Sequence, residues 1–257
     1  MPDILLTKRD RVAVVSLNRP DVRNAMTLKM WSELASLFSG LAGDDDSRAV
    51  VLTSSGADFC VGADVSEFDS IRENRDQSAA YEASVDACSA AIANLAKPVI
   101  AAISGYCLGG GCHLALACDF RFADDTAKVG IPSAKLSIVY GVKSVQRLLA
   151  IAGVANAKRM LYSGEHYDAV QARSMGLLDE IRDDVGAAAV EYAGMLAGNA
   201  PLSIAGAKFM LNNLSMGDGG LDVAAAQRMI DVAADSEDFR EGRLAFAEKR
   251  APRFRGR

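Results

Sequence analysis

Histidine is scarce in this sequence of 257 residues, which contains only His113 and His166 and so excludes a histidine-rich metal site. The five cysteines are odd in number and form no Cys-x-x-Cys pair, so neither a disulfide framework nor a zinc site is predicted. A net charge of −5 argues against nucleic-acid binding, and no apolar run is as long as a membrane span. Met1-Pro-Asp-Ile4 lacks the basic and apolar regions of a signal peptide. With reduced cysteines, these features predict a cytoplasmic protein.

Three common glycine-containing or nucleophile motifs are also missing. Gly111-Cys-His113 stands where a P-loop has Gly-Lys-Ser/Thr. The spacing Gly105-x-x-x-Gly109-Gly-Gly differs from the G-x-G-x-x-G of dinucleotide-binding proteins. There is no Gly-x-Ser-x-Gly, which argues against a serine hydrolase of the nucleophile-elbow type.

The most informative stretch is a glycine turn between a strand and a helix. The apolar run Pro98–Ser104 predicts a buried strand, and His113–Ala117 is rich in helix formers. Between them, Gly109, Gly110 and Gly111 permit a turn that side chains would obstruct. The first amides of the helix have no intrahelical partner and could stabilise negative charge. The alternative is that these glycines only let strand and helix pack closely.

A second glycine-marked loop, Cys60–Val65, follows another predicted strand, Ala49–Thr53. If the two strands are neighbours in one sheet, both loops emerge at the same edge. Two backbone amides could then converge on one oxygen, which is the geometry of an oxyanion hole.

Strands and helices alternate through residue 131, which indicates an α/β fold, and the remainder is mostly helical. Ile4–Lys8 and Val12–Leu17 predict a β-hairpin, and Thr27 is the predicted N-cap of a helix that runs to Leu41. Ser66–Gln77 is predicted as a mobile surface segment, followed by a helix over Ser78–Leu95. A short strand is predicted around Lys128–Gly130. The later helical candidates are Ser144–Ala152, Ala155–Tyr162, Asp168–Met175, Gly186–Ala197, Ser203–Leu214, Leu221–Ala234 and Glu237–Glu248, with Leu178–Ile181 the one strand-like segment among them.

The combined motifs of the chain resemble those of the crotonase (enoyl-CoA hydratase/isomerase) superfamily. The resemblance spans nearly the whole sequence. It is carried by Asn18-Arg-Pro20 with Asn24-Ala25, Phe59–Val65, Lys97–Gly111, Leu114–Asp119, and Asp235–Gly242 with Ala245-Phe246 and Glu248–Pro252.

This resemblance implies a crotonase-like core of repeated ββα units over residues 1–195 and a C-terminal helical trimerisation region over 196–257. It implies a homotrimer or a dimer of trimers that acts on an acyl-CoA, with coenzyme A as part of the substrate and no permanently bound cofactor or metal. The thioester oxygen would lie between the amides of Ala63 and Gly110, where an enolate develops. The residues that would contact coenzyme A are Arg23, Ala25, Val61, Gly62, Ala63, Asp64 and Val65.

The chain departs from the hydratases at both catalytic glutamate positions, where it has His113 and Ser133. Hydration needs an acid and a base beside the double bond, so the standard two-glutamate reaction is disfavoured. Residues 126–164 contain no Asp or Glu, and Asp64, Glu67 and Asp69 are the acids that could substitute. His113 is either a general base near neutral pH or a histidine hydrogen-bonded within the core.

Ser133 is expected to line the pocket, because no base is evident beside it. Tyr140 either bonds the acyl group, or donates a proton to it, or packs with a wet hydroxyl. Some decarboxylases of the superfamily look similar around this tyrosine. The sequence therefore predicts an enzyme of the enoyl-CoA hydratase/isomerase family that stabilises a thioester enolate. The alternatives are a decarboxylase or single-base isomerase, and a non-catalytic acyl-CoA-binding protein.

Overall fold

Two β-sheets of unequal size form the centre of the computed structural model, which describes residues 1–216 and 220–257. In chain order the strands are β1 (Ile4–Arg9), β2 (Val12–Leu17), β3 (Ala49–Ser54), β4 (Val99–Ile103), β5 (Tyr106–Leu108), β6 (Phe120–Ala123), β7 (Lys128–Gly130), β8 (His166–Asp168) and β9 (Glu180–Ile181). The helices are α1 (Leu28–Ala42), α2 (Phe68–Ile71), α3 (Arg75–Ala93), α4 (Gly110–Ala117), α5 (Val142–Ser163), α6 (Ala169–Ser174), α7 (Val185–Ala197), α8 (Pro201–Met216), α9 (Val223–Asp235) and α10 (Glu237–Glu248). This arrangement confirms the predicted α/β fold with a C-terminal helical region.

The larger sheet has the order β1-β2-β3-β4-β6-β9. Strands β1 and β2 form the predicted antiparallel hairpin, and the remaining neighbours are parallel. Strand β4 is buried along its whole length, as expected for a parallel strand covered on both faces. Because β3 and β4 are parallel neighbours, the loops that follow them emerge at the same edge.

The ββα repeat is visible in how the chain alternates between the two sheets. Each of β4 and β6 lies in the larger sheet and is followed by a short strand of the smaller sheet, whose order is β5-β7-β8. After β3, a single parallel bridge between Cys60 and Cys107 takes the place of the second strand, and α3 completes the unit. The bridge joins the loop after β3 directly to β5, which leads into the glycine turn.

The main hydrophobic core lies between the larger sheet and helices α1 and α3. The predicted apolar stripe of α1 is buried, including Met30, Leu34 and Phe38. Thr27 caps the helix as predicted, with its side chain accepting a hydrogen bond from the amide of Met30. A smaller cluster on the opposite face of the sheet packs beneath α7.

A buried ion pair connects the C-terminal helices to the larger sheet. Lys208 Nζ on α8 lies 2.7 Å from Asp119 Oδ2 and donates to the carbonyl of Lys97. The same carboxylate oxygen accepts the amide of Val99 at the start of β4. Burial raises the pKa of Asp119, and Lys208 opposes that shift. The pair therefore fixes α8 against the junction of β4 and β6.

The structure differs from the prediction in four segments. Residues 66–77 include α2 and the start of α3, whose N-cap Asn74 accepts from the amide of Gln77. The two helices predicted between Ser144 and Tyr162 are one element, α5, interrupted by Gly153 at φ 71°. Strands β5 and β8 were not predicted, and His166 is an exposed residue of β8. Among the described residues, no helix has the length and apolar character that crossing a membrane requires.

Gly111 and Gly194 provide a matched test of close packing, because both are helical. A Cβ on Gly111 would lie 2.3 Å from the carbonyl oxygen of Cys60, whereas one on Gly194 would meet nothing within 4 Å. Gly111→Ala should therefore lower the free energy of unfolding by about 1–3 kcal/mol through overpacking. Gly194→Ala should raise it by about 0.5–1 kcal/mol through helix propensity. Urea denaturation measures both free energies of unfolding. Equal changes in the two variants would contradict the tight contact at Gly111.

Candidate active site

The backbones of two glycine loops meet at the edge of the sheet. Gly62 adopts φ 102° and Gly109 adopts φ 49°, conformations that favour glycine. A Cβ on Gly62 would lie 3.1 Å from the amide nitrogen of Gly110 and 3.0 Å from the carbonyl oxygen of Leu108. Side chains are therefore excluded where the two loops approach each other.

Two backbone amides have no protein acceptor among the described residues at this contact, those of Ala63 and Gly110. Gly62 and Asp64 exchange hydrogen bonds with Met26, at 2.8 and 2.9 Å. Because backbone groups alternate in direction along an extended segment, the intervening N–H of Ala63 points away from Met26. Gly110 is the first residue of α4, so its N–H has no intrahelical acceptor. Both donors are thus available to a ligand.

A cavity of about 140 Å³ lies beside this pair of amides. Its wall is mainly apolar and includes Trp31, Val85 and Ile131. The sequence-predicted residues that line it are Val61, Ala63, Val65, Gly110, His113, Ser133 and Tyr140. The predicted residues Arg23, Ala25, Gly62 and Asp64 lie outside this lining.

His113 is only 1% exposed, and its Nδ1 is hydrogen-bonded to the hydroxyl of Ser144. Burial lowers the pKa of His113 to about 3, and the charge of Arg147 acts in the same direction. The backbone of Val85 has an opposing effect. The ring is therefore neutral at pH 7, which favours the core histidine over a general base that titrates near neutrality.

Tyr140 is tied to the glycine turn. Its hydroxyl donates to the carbonyl oxygen of Gly109 at 3.0 Å, and its ring lies edge-on to His113, with centroids 6.3 Å apart. Burial is the main cause that raises the pKa of Tyr140. Ser133 is buried in the short helical turn Pro132–Leu136. The hydrogen bond from Tyr140 therefore holds the backbone of Gly109 in place, a contact that the sequence did not predict.

Arg23 is exposed, and its backbone carbonyl accepts the amide of Val61, which lines the cavity. Its backbone is left-handed, at φ 51°, and its guanidinium carbon is 5.1 Å from the ring centroid of Tyr106. Its Nε lies 3.6 Å from Asp58 Oδ2. Neighbouring Asn24 is buried and donates from its side-chain amide to the carbonyls of Ser55 and Asp58, which fixes this turn.

Asp64 and Ala25 share one partner, Arg19. A single guanidinium nitrogen of Arg19 lies 2.9 Å from Asp64 Oδ2 and 2.7 Å from the carbonyl oxygen of Ala25. Hydrogen bonds from Ser66, and then from Arg19, lower the pKa of Asp64. Asp64 therefore organises the loop that carries Ala63, and it is poorly suited to act as a base.

None of the three acids suggested by the sequence lines the cavity. Asp64 is paired with Arg19, Glu67 accepts the amide of Leu28 at 2.9 Å, and Asp69 lines an outer groove. Among the described residues that line the cavity, Glu82 of α3 is the one carboxylate, and Arg72 is its ion-pair partner. Sequence reasoning missed both residues. A charged residue between the apolar positions Tyr81 and Val85 of a helix was the available signal.

The sequence profile of the enoyl-CoA hydratase/isomerase family matches residues 7–257. The chain belongs to this family. It is 32% identical to the 2,3-dehydroadipyl-CoA hydratase of Escherichia coli, with 100% of each chain covered. It is 30% identical to the short-chain-enoyl-CoA hydratase of Clostridium acetobutylicum, over 96% of this chain and 95% of that one.

Solved structures of enoyl-CoA hydratase/isomerase relatives support the same assignment. The crystal structure of an enoyl-CoA hydratase/carnithine racemase from Magnetospirillum magneticum superposes with a TM-score of 0.94. The two sequences are 33% identical, and the match covers 100% of this chain and 97% of that one. The predicted crotonase superfamily is thus confirmed, and this family member is an acyl-CoA-processing enzyme.

The environment of His113 in this family member predicts a specific pH dependence of stability. Its folded-state pKa of about 3 lies below the ordinary value near 6.5, so the unfolded state binds the extra proton between these pH values. The contribution of His113 to the free energy of unfolding is therefore fully present above pH 6.5 and is lost as the pH falls towards 3. Between pH 7 and pH 5, the wild type should lose about 2 kcal/mol that His113→Asn does not lose. Urea denaturation at both pH values measures the difference, and exposed His166→Asn should keep the wild-type dependence.

Proposed function

We propose that this protein forms an enolate of an acyl-CoA thioester in an oxyanion hole made by the amides of Ala63 and Gly110. The observation that carries the proposal is that these two amides lack protein acceptors among the described residues and border the cavity. Each such donor typically stabilises a developing oxyanion by about 3 kcal/mol. The family uses CoA thioesters, and the carbonyl oxygen of such a thioester can accept hydrogen bonds from both amides.

The proposed reaction is an isomerisation or decarboxylation through the enolate. By the family resemblance, His113 and Ser133 would stand where the hydratases have glutamates, and on this ground we propose that two-carboxylate hydration is disfavoured. Burial makes the imidazole of His113 a weak base, with a pKa of about 3, and its Nδ1 is already hydrogen-bonded to Ser144. An enolate reaction needs only one proton-transfer group, so the cavity requires fewer polar side chains.

The proposed path of coenzyme A runs along the loop from Val61 to Val65. At Gly62 this loop has no side chain to cover its backbone, and Val65 is largely exposed. In this proposal the exposed guanidinium of Arg23 meets a phosphate of coenzyme A, and Ala25, which is buried, contributes to the path next to Arg23. The five cysteines are buried free thiols, which agrees with the proposed cytoplasmic location.

The oxyanion hole can be tested with two substitutions at Gly110, because proline at the first position of a helix is tolerated. Gly110→Pro removes the amide proton, whereas Gly110→Ala keeps it. Both add a Cβ that would approach the ring of Trp31 to 3.0 Å. We expect Gly110→Pro to lower kcat about 10²–10³-fold relative to Gly110→Ala.

The assay incubates the protein with enoyl-, 3-enoyl-, malonyl- and hydroxyacyl-CoA and follows the product masses and double-bond positions. Equal kcat values for the two Gly110 variants would contradict the oxyanion assignment. Hydration as the main reaction would contradict the proposed reaction type. Tight binding of acyl-CoA without any turnover would favour the non-catalytic alternative.

We also propose that residues 196–257 form contacts in a homotrimer or a dimer of trimers; within this range, residues 217–219 lie outside the described part. The exposed apolar side chains of the region support this, and Phe246 on α10 is 86% exposed. Phe246→Asp should shift the assembly towards monomer in sedimentation equilibrium. Tyr162→Asp, an exposed position on α5, serves as the control. A wild-type protein that sediments as a monomer would contradict the proposal.

A further inference from the structure

The cavity contains an ion pair that the proposed oxyanion hole does not use. An Arg72 side-chain nitrogen (Nη2) lies 3.1 Å from Glu82 Oε1, and both side chains line the cavity. We propose that the carboxylate of Glu82 transfers the proton to and from the acyl-CoA enolate, with Arg72 as its positioning residue. The inference rests on the proposed function, and it places the proton-transfer group on α3 rather than on α4 or the turn after β7.

The aromatic residues between Gly110 and α3 support this placement. The ring of Trp31 lies against Gly110, where a Cβ would approach it to 3.0 Å. The Nε1 of Trp31 donates to the hydroxyl of Tyr81 at 2.9 Å. Tyr81 directly precedes Glu82 in the helix, so these contacts link the oxyanion side of the cavity to the turn that carries the carboxylate.

Arg72 restrains only one of the two carboxylate oxygens. Its guanidinium carbon lies 5.0 Å from the ring centroid of Phe68 and 4.8 Å from that of Tyr81, which fixes the cation over two aromatic faces. Glu82 Oε2 has no hydrogen-bond donor among the described residues. It faces Gly141, where a Cβ would lie 3.4 Å away. This oxygen remains available to a substrate proton.

The charges around Glu82 favour a carboxylate that can exchange a proton. Burial raises the pKa of Glu82, and the charge of Asp86 on the same helix acts in the same direction. Arg72 opposes both effects. The other titratable groups lining the same cavity are Tyr81, His113 and Tyr140, and all three are neutral at pH 7, because burial raises the pKa of both tyrosines and lowers that of His113.

The proton transfer balances without a further reactant. The carboxylate takes a proton from the carbon next to the thioester, and the electron pair of that C–H bond forms the carbon–carbon double bond of the enolate. The enolate oxygen accepts the amides of Ala63 and Gly110. The new carboxylic acid of Glu82 then returns the proton, to the same carbon or, in a 3-enoyl thioester, to the γ-carbon, which moves the double bond.

Deuterium uptake tests this assignment directly. The full-length protein is incubated with 3-butenoyl-CoA in D₂O, and deuterium at the α- and γ-carbons is followed by NMR. Glu82→Gln should reduce uptake about 10²–10⁴-fold while acyl-CoA binding is retained. Glu73→Gln, an exposed position in the same part of the chain, should leave uptake unchanged.

Arg72→Gln distinguishes a proton-transfer group from a merely structural ion pair. Deuterium uptake requires ionised Glu82, so it falls as the pH drops through the pKa of that carboxyl. Loss of the Arg72 charge raises this pKa, and the pH midpoint of uptake should move upward while uptake persists at high pH. If Arg72→Gln removes as much uptake at every pH as Glu82→Gln does, the assignment is overturned.

The outcomes for Glu82 and for the oxyanion hole can be separated. Wild-type uptake that survives in Glu82→Gln but is lost in Gly110→Pro would reject Glu82 and keep the enolate function. A wild-type protein that binds 3-butenoyl-CoA without deuterium uptake or turnover of any thioester would reject both. Loss of uptake in both variants, with binding intact, supports both.

Discussion

The close approach of two backbone segments, Cys60–Gly62 and Gly109–Gly111, is the constraint on which the rest of the structure depends. The parallel bridge between Cys60 and Cys107 brings the segments together, and the absence of side chains at Gly62 and Gly111 lets them touch. Packing and chemistry are therefore consequences of the same contact. The two interpretations of the glycine turn that the sequence left open do not exclude each other: Gly111 serves the packing, and Gly110 presents the amide.

The site combines strong backbone donors with few charged side chains. His113 is buried and neutral, and the hydroxyl of Tyr140 is hydrogen-bonded to Gly109. The negative charge of Asp64 is balanced by Arg19. An apolar cavity strengthens the electrostatic effect of the remaining dipoles, because water does not screen them. Such a site suits a reaction whose main difficulty is the transient negative charge on one oxygen.

The sequence predicted the fold well because its signals are local. Thr27 marks the start of α1, the apolar runs mark β2, β3 and β4, and the glycine turn marks α4. Strands β5 and β8 contain three residues each, which is too short for a period to be recognised. The helical turns in segment 66–77 were not predicted, because the stacking of Arg72 on Phe68 and Tyr81 joins residues that only the tertiary structure brings together. Glu82 was not predicted as a site residue for the same reason, because its position in the cavity depends on how α3 packs.

The ion pair between Lys208 and Asp119 has a consequence for how the chain matures during synthesis. Asp119 directly precedes β6, yet its counter-ion Lys208 lies 89 residues later in the chain. Until α8 has been made and has docked, Asp119 lacks its cation, and the groove that α8 shares with it lacks one wall. The α/β part therefore cannot reach its final stability while the ribosome is still adding the last quarter of the protein.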